Sequence, residues 1–143
     1  SFNWDVIKHI THLEFVHHFD RVGIDAYFPL EAPDGASVQT LEKEWEKWMN
    51  QIKGWFVHDS IIVTEVGTFP VAGSYRTPYS WVYPNGRLDL DAQAHYYEAT
   101  FETWLPVSQG IYWWCVTLEE EEGVTYSPLH SPTERVIKTY FSD

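Results

Sequence analysis

The stretch IIVTEVG, Ile61 to Gly67, limits most tightly what this chain can fold into. Apolar and β-branched residues run straight into an acid, and a glycine follows. Val, Ile and Thr favour strands, and a short apolar run bounded by turn signals suits a buried strand. That predicts a strand over Ile61–Glu65 with Glu65 at its C-terminal end. A carboxylate is costly to bury without partners. An acid held there is either paired for structural reasons or placed there for chemistry.

The flanking sequence reads as alternating helices and strands. Ser1–Asp5 reads as a loop, and Asp5 can cap a helix from Val6 to about Phe19 with Val6, Ile10, Leu13 and Val16 at helical spacing. Val22–Phe28 is the next strand, ended by Pro29. Asp25 interrupts its apolar run and shares a side with Tyr27. It is a structural residue or a site residue. The turn-rich EAPDGAS, Glu31 to Ser37, leads into a helix over Val38–Lys53 with the stripe Leu41, Trp45, Trp48 and Ile52, and Gly54 as its stop.

A loop from Gly67 to about Leu90 follows the central strand. Loops over twenty residues are unusual in compact domains and often functional. This one carries Phe69, Tyr75, Tyr79, Trp81, Tyr83, Arg76 and Arg87. Its aromatics either face a substrate or pin the loop to the body, and either arginine can neutralise a buried carboxylate. Asp89 or Asp91 caps a helix over Ala92–Trp104, with Ala94, Tyr97, Phe101 and Trp104 on one face. Gly110–Val116 is the third strand. Glu119–Glu122 reads as a solvated acidic loop without the EF-hand spacing. Ser131, Pro132 and Glu134 mark a helix start, and Val136, Ile137, Tyr140 and Phe141 supply that helix's buried face.

Strands alternating with helices imply a parallel sheet with helices outside. No glycine-rich nucleotide loop follows any strand. An α/β barrel places reactive side chains at strand C-termini, where Tyr27, Glu65 and the Trp113/Trp114 pair lie. A barrel needs eight strands and the pattern supplies three. A small three-layer α/β domain is the alternative, but it would need protected sheet edges, and little edge protection is visible.

Charge narrows the partners. Nine basic residues against 21 acidic ones give a net charge of −12, which argues against nucleic acid and an anionic membrane surface. A neutral sugar is compatible with it. The histidines lack metal-site spacing, so neither a metal nor a cofactor is expected. Cys115 is the only cysteine, so no intrachain disulfide forms. No run is long enough to span a membrane. No signal peptide is visible, and the compartment stays open between secreted and cytoplasmic. The start at Ser1 reads as a processed end, an engineered boundary or a break within a longer protein.

Six stretches carry a family likeness: NWD (Asn3–Asp5), GIDAYFPL (Gly23–Leu30), TEVG (Thr64–Gly67), SYRTP (Ser74–Pro78), YWW (Tyr112–Trp114) and the terminal YSPLHSPTERVIKTYF. In these the chain resembles glycoside hydrolase family 113, TIM-barrel enzymes of the large retaining clan, whose known members are chiefly endo-β-1,4-mannanases. The resemblance covers nearly all of residues 1–143. It implies the C-terminal part of a (β/α)8 barrel, about strands 6–8 and helices 5–8, with the N-terminal half outside this sequence. It further implies an oligo- or polysaccharide partner, Glu65 as nucleophile, Tyr27 as a hydrogen-bond donor to it, and Trp113 or Trp114 as the floor under the reacting sugar. Asn3, Trp4, Asp25, Tyr75, Arg76 and Trp81 join them as substrate-binding candidates. The family's acid/base glutamate belongs to an earlier strand, supplied by an upstream segment of the same barrel or by a separate chain. Thr68 departs from the aromatic that commonly follows TEVG, and Cys115-Val116 from a more polar strand ending. The alternative function is a non-catalytic carbohydrate-binding or structural module on a degenerate or truncated barrel.

Overall fold

A computed structural model describes residues 1–10, 12–55, 60–118 and 124–142. Among the described residues four strands, β1 (Phe2–Asn3), β2 (Arg21–Asp25), β3 (Ser60–Val66) and β4 (Ser108–Trp113), form one parallel sheet in the order β1-β2-β3-β4. β1 adds a strand to the three expected from sequence, because two residues are too few to show a period. Helices α1 (Ile7–Ile10), α2 (Val38–Trp55), α3 (Leu90–Trp104) and α4 (Pro132–Phe141) alternate with the strands. Each strand neighbours the next in sequence, with no reversal of order. A doubly wound sheet reverses at a switch point, whereas a barrel wall does not. The sheet and its helices are thus those of part of a β/α barrel.

Strand parity separates the two faces of the sheet. Val22, Ile24, Ala26 and Phe28 are buried, as are Ile61 and Val63. These side chains meet the helices in a core centred on Phe28, Trp45, Tyr96 and Trp104. The intervening residues Asp25, Tyr27, Ile62 and Thr64 are half-buried on the opposite face, where Asn3 and Tyr112 are exposed.

α2 has the expected stripe, with Leu41, Trp45 and Ile52 buried. The Trp48 indole N–H donates to the Pro29 carbonyl at 2.9 Å, so both tryptophans of the stripe serve packing. Gly54 does not stop this helix, which runs on to Trp55; one glycine inside a helix costs only about 1 kcal/mol. The Trp45 indole N–H donates to Thr100 Oγ at 3.1 Å, tying α2 to α3. α3 is capped by Asp89, whose carboxylate accepts the Ala92 N–H at 3.1 Å. It is buried nearly all round because the sheet, α2 and α4 enclose it.

The first predicted helix does not form as one piece. α1 is a single turn, Leu13 is extended, and Glu14–His18 is a 3-10 turn. The segment is rich in β-branched residues and histidine, all middling helix formers. Ile7 and Val16 are buried there, while Val6 and Leu13 are exposed. β4 spans Ser108–Trp113 and stops before Cys115 and Val116. α4 begins as expected, with Ser131 Oγ accepting the Thr133 N–H at 3.2 Å. Glu134 accepts the N–H of His130, one residue before the cap. Val136 and Ile137 pack on the core, and Tyr140 stacks on Phe101, but Phe141, at the last residue of the helix, is exposed and meets Phe101 edge-on. The Glu119–Glu122 run lies outside the described residues. No described helix is long and apolar enough to cross a membrane.

Tyr96 and Tyr97 are fully buried on α3, and burial pushes both phenols up. In the unfolded chain they ionise near the ordinary value of about 10. Above that pH the native state binds more protons than the unfolded one, so stability falls as pH rises. We expect cooperative alkaline unfolding in which tyrosinate absorbance and loss of far-UV circular dichroism rise together. Tyr97→Phe should move the midpoint to higher pH.

Candidate functional site

The C-terminal ends of the strands bring together the residues with the strongest chemistry. On β3 the pairing with β2 slips: Ile24 pairs with Val63, but Asp25 pairs with Glu65, so Thr64 is an extra residue. A bulge of this kind re-aims a side chain. Glu65 has the sequence parity of Ile61 and Val63, which face the helices. It nevertheless meets Tyr27 on the opposite face, where the Tyr27 hydroxyl donates to its carboxylate at 3.1 Å. Burial, then the Glu65 charge, raises the Tyr27 phenol. It therefore stays protonated and keeps donating at neutral pH. Beside them, Asp25 accepts from Thr64 Oγ at 2.7 Å and from Ser1 Oγ at 3.3 Å. Asn3 pairs with Asp25 across β1 and β2, and the Trp4 N–H donates to the Asp25 carbonyl at 3.1 Å.

The two tryptophans at the end of β4 part company. Trp113 keeps the inward parity of Ile111 and lies flat on Tyr97, with ring centres 3.7 Å apart, and edge-on to Phe101. It belongs to the packing between sheet and α3. Trp114 extends past the strand, its N–H donating to the Val66 carbonyl at 2.8 Å, and its ring meets Trp81 edge to face at 6.2 Å.

The long loop divides between anchors and exposed rings. Tyr75 is fully buried, and its hydroxyl donates to the Pro33 carbonyl. Arg76 donates to the Ala32 carbonyl at 2.7 Å and pairs with Asp34 at 2.6 Å. Asp34 is largely exposed, so Arg76 neutralises no buried carboxylate. Both residues thus bind the loop to residues 32–34 and do not join the Glu65 cluster, because these local partners take up their polar groups. Arg87 lies 3.8 Å from Asp89. Tyr79 and Trp81 remain exposed.

Several supporting residues carried no signal in the sequence. Buried Gln93 donates to the carbonyls of Thr68 and Tyr126 at 2.9 and 3.1 Å, and accepts from Thr133 Oγ at 3.0 Å. It joins the segment after Glu65 to α3 and α4. A lone glutamine on a helix gives no hint of this. Thr64 was visible only as part of TEVG, and Tyr126 only as the first residue of the terminal motif. No cluster of three or more metal-binding side chains exists among the described residues. A surface groove lined by Glu42, Glu46, Met49 and Glu102 shares no residue with the Glu65 cluster.

The arrangement is a half-buried carboxylate at a strand end that accepts a hydrogen bond from a phenol, with ring pairs after β1 and after β4. Such a group can act as a nucleophile or a base. Its position depends on Gly67, because a Cβ there would lie 2.0 Å from the Trp114 carbonyl oxygen. Gly67→Ala must push the ends of β3 and β4 apart, at a cost of about 1–3 kcal/mol. We expect a lower denaturation midpoint and a changed near-UV tryptophan signal; an unchanged spectrum would contradict this close contact.

Among solved structures, the chain is similar to the family 113 β-mannanase AaManA from Alicyclobacillus acidocaldarius, solved in complex with ManMIm. The TM-score is 0.74 at 23% identity, covering 98% of this chain and 43% of that one. It is also similar to a family 113 β-1,4-mannanase structure with a TM-score of 0.75 at 21% identity, covering 96% of this chain and 43% of that one. At these identities the likeness concerns the fold, and the chain spans less than half the length of either protein. No curated protein sequence matches it. The model of Glycoside Hydrolase Family 113 matches residues 1–123, most of the sequence, and the chain belongs to that family.

Proposed function

We propose that this chain forms strands five to eight of a (β/α)8 barrel, with only the end of the fifth, in a retaining endo-glycoside hydrolase. Its substrate is a neutral β-linked polysaccharide, with β-1,4-mannan first in order. The observation that carries the reading is the Tyr27–Glu65 hydrogen bond at the C-terminal end of a parallel strand. Family membership and the mannanase relatives support the substrate class.

In this reading Glu65 attacks the anomeric carbon and forms a covalent glycosyl-enzyme. Tyr27 holds the carboxylate in line, and its hydrogen bond favours the ionised form. A second carboxyl about 5–5.5 Å away protonates the leaving oxygen and then activates water. That acid/base stands on an earlier strand of the complete barrel and is assigned to no residue of these 143. The chain alone is then inactive or nearly so. Trp114 floors the reacting sugar, and Asn3, Trp4 and Asp25 line the cleft toward β1.

The test uses the chain within its complete reading frame. Glu65→Gln should lower mannan hydrolysis by on the order of 10⁴-fold, with retained anomeric configuration in the wild-type product by NMR. Full activity in Glu65→Gln would overturn the assignment. A complete frame with no acid on the earlier strand would favour a binding module. Tyr27→Phe removes one charge-assisted hydrogen bond worth about 1.5–3 kcal/mol, so kcat should fall roughly 10- to 100-fold.

A further inference from the structure

We propose that Tyr79 and Trp81 are two separate sugar-stacking platforms, one on each side of Glu65, so that a bound saccharide crosses the carboxylate with rings seated on both flanks. The inference rests on the glycoside hydrolase reading above and adds the layout of its binding cleft.

The two residues sit two positions apart on one loop, yet they reach opposite flanks of the strand ends. Tyr79 stacks on Trp4, with ring centres 5.4 Å apart and planes 19° apart. Trp4 follows β1, the first strand in the sheet order. Trp81 meets Trp114 edge to face at 6.2 Å, and Trp114 follows β4, the last strand. Glu65 lies between them on β3, beside the phenol that follows β2. Adjacent strands are about 4.8 Å apart, so β1 and β4 are separated by roughly 14 Å. One sugar ring does not bridge that span, whereas an oligosaccharide does.

Single exposed apolar side chains are ordinary. These two differ in that the loop beneath them is fixed. The Tyr126 hydroxyl, on a residue only 4% exposed, donates to the Pro78 carbonyl at 2.6 Å and to the Ser80 carbonyl at 3.2 Å. The Tyr83 hydroxyl donates to the Thr77 carbonyl at 2.7 Å. The carbonyls on both sides of Tyr79 are therefore tied down, while Tyr79 and Trp81 remain 44% and 68% exposed. Holding rings in place before binding removes part of the ordering cost of binding.

The chemistry of the flanks selects a neutral ligand. An aromatic face matches the C–H face of a pyranose, while phenol and indole keep a polar edge for hydroxyls. Both loop arginines face carboxylates, Arg76 with Asp34 and Arg87 with Asp89, and Glu65 and Asp25 add negative charge. An anionic sugar is repelled. A chain seated on both flanks places an internal bond at Glu65, which is the geometry of endo cleavage.

The test measures binding by calorimetry in the complete enzyme carrying Glu65→Gln, with mannohexaose, cellohexaose and xylohexaose as probes and the matching disaccharides as controls. For the hexaose bound best, Trp81→Ala and Tyr79→Ala should each weaken affinity about tenfold, and together about a hundredfold. Trp81→Phe and Tyr79→Phe should restore most of the loss, and the alanine variants should keep the parent's thermal midpoint, which a merely structural role would not predict. Each disaccharide should respond to one substitution at most. Unchanged hexaose affinity in either alanine variant, or no binding of any hexaose, would overturn the two-platform arrangement. Hexaose binding that needs both rings, in a wild-type enzyme that hydrolyses none of the probes, would support the platforms and overturn Glu65 as nucleophile.

Discussion

The strand end depends on one extra residue in the pairing of β2 with β3. Strict alternation would send Glu65 after Ile61 and Val63 into the layer packed by Trp45 and Trp104, where an unpaired carboxylate costs several kcal/mol. The irregularity at Thr64 turns the carboxylate toward Tyr27, and Val66 returns to the core fully buried. Gly67 then lets the Trp114 carbonyl close on the strand end. The sheet satisfies its core on both sides of the acid while holding the acid outside it.

The same economy extends to the long loop. Its backbone lies over the strand ends, where it has few ladder partners, and buried carbonyls need donors. Tyr75, Arg76, Tyr83, Tyr126 and Gln93 supply hydrogen bonds at one point or another along it. Polar side chains of the loop itself, of α3 and of the segment before α4 therefore fix this long loop. The exposed rings of Tyr79 and Trp81 are thus presented by a held backbone.

Much of the architecture was legible before the structure. The stripe of α2, the caps Asp89 and Ser131, and the strand at IIVTEVG each rest on local chemistry repeated at a fixed spacing, and each element formed. The segment from Val6 to Phe19 had the spacing but lacked strong helix formers, and it broke into two turns. Gly54 carried a stop signal that the helix overrode. The aromatic loop composition was equally compatible with anchoring and with display, and both occur, side by side, at Tyr75 and Trp81.

From Val22 onward the sequence by itself determined the kinds of elements, their order and the placing of an acid at a strand end, because periodicity and capping act over a few residues. Family likeness in stretches such as GIDAYFPL and TEVG extended that to a barrel. Only the tertiary structure decided which way the acid points, because a one-residue slip in pairing is invisible in either strand alone. It also separated Trp113 from Trp114 and gave Arg76 to Asp34. Those outcomes depend on partners tens of residues away, and no local pattern encodes which partner wins.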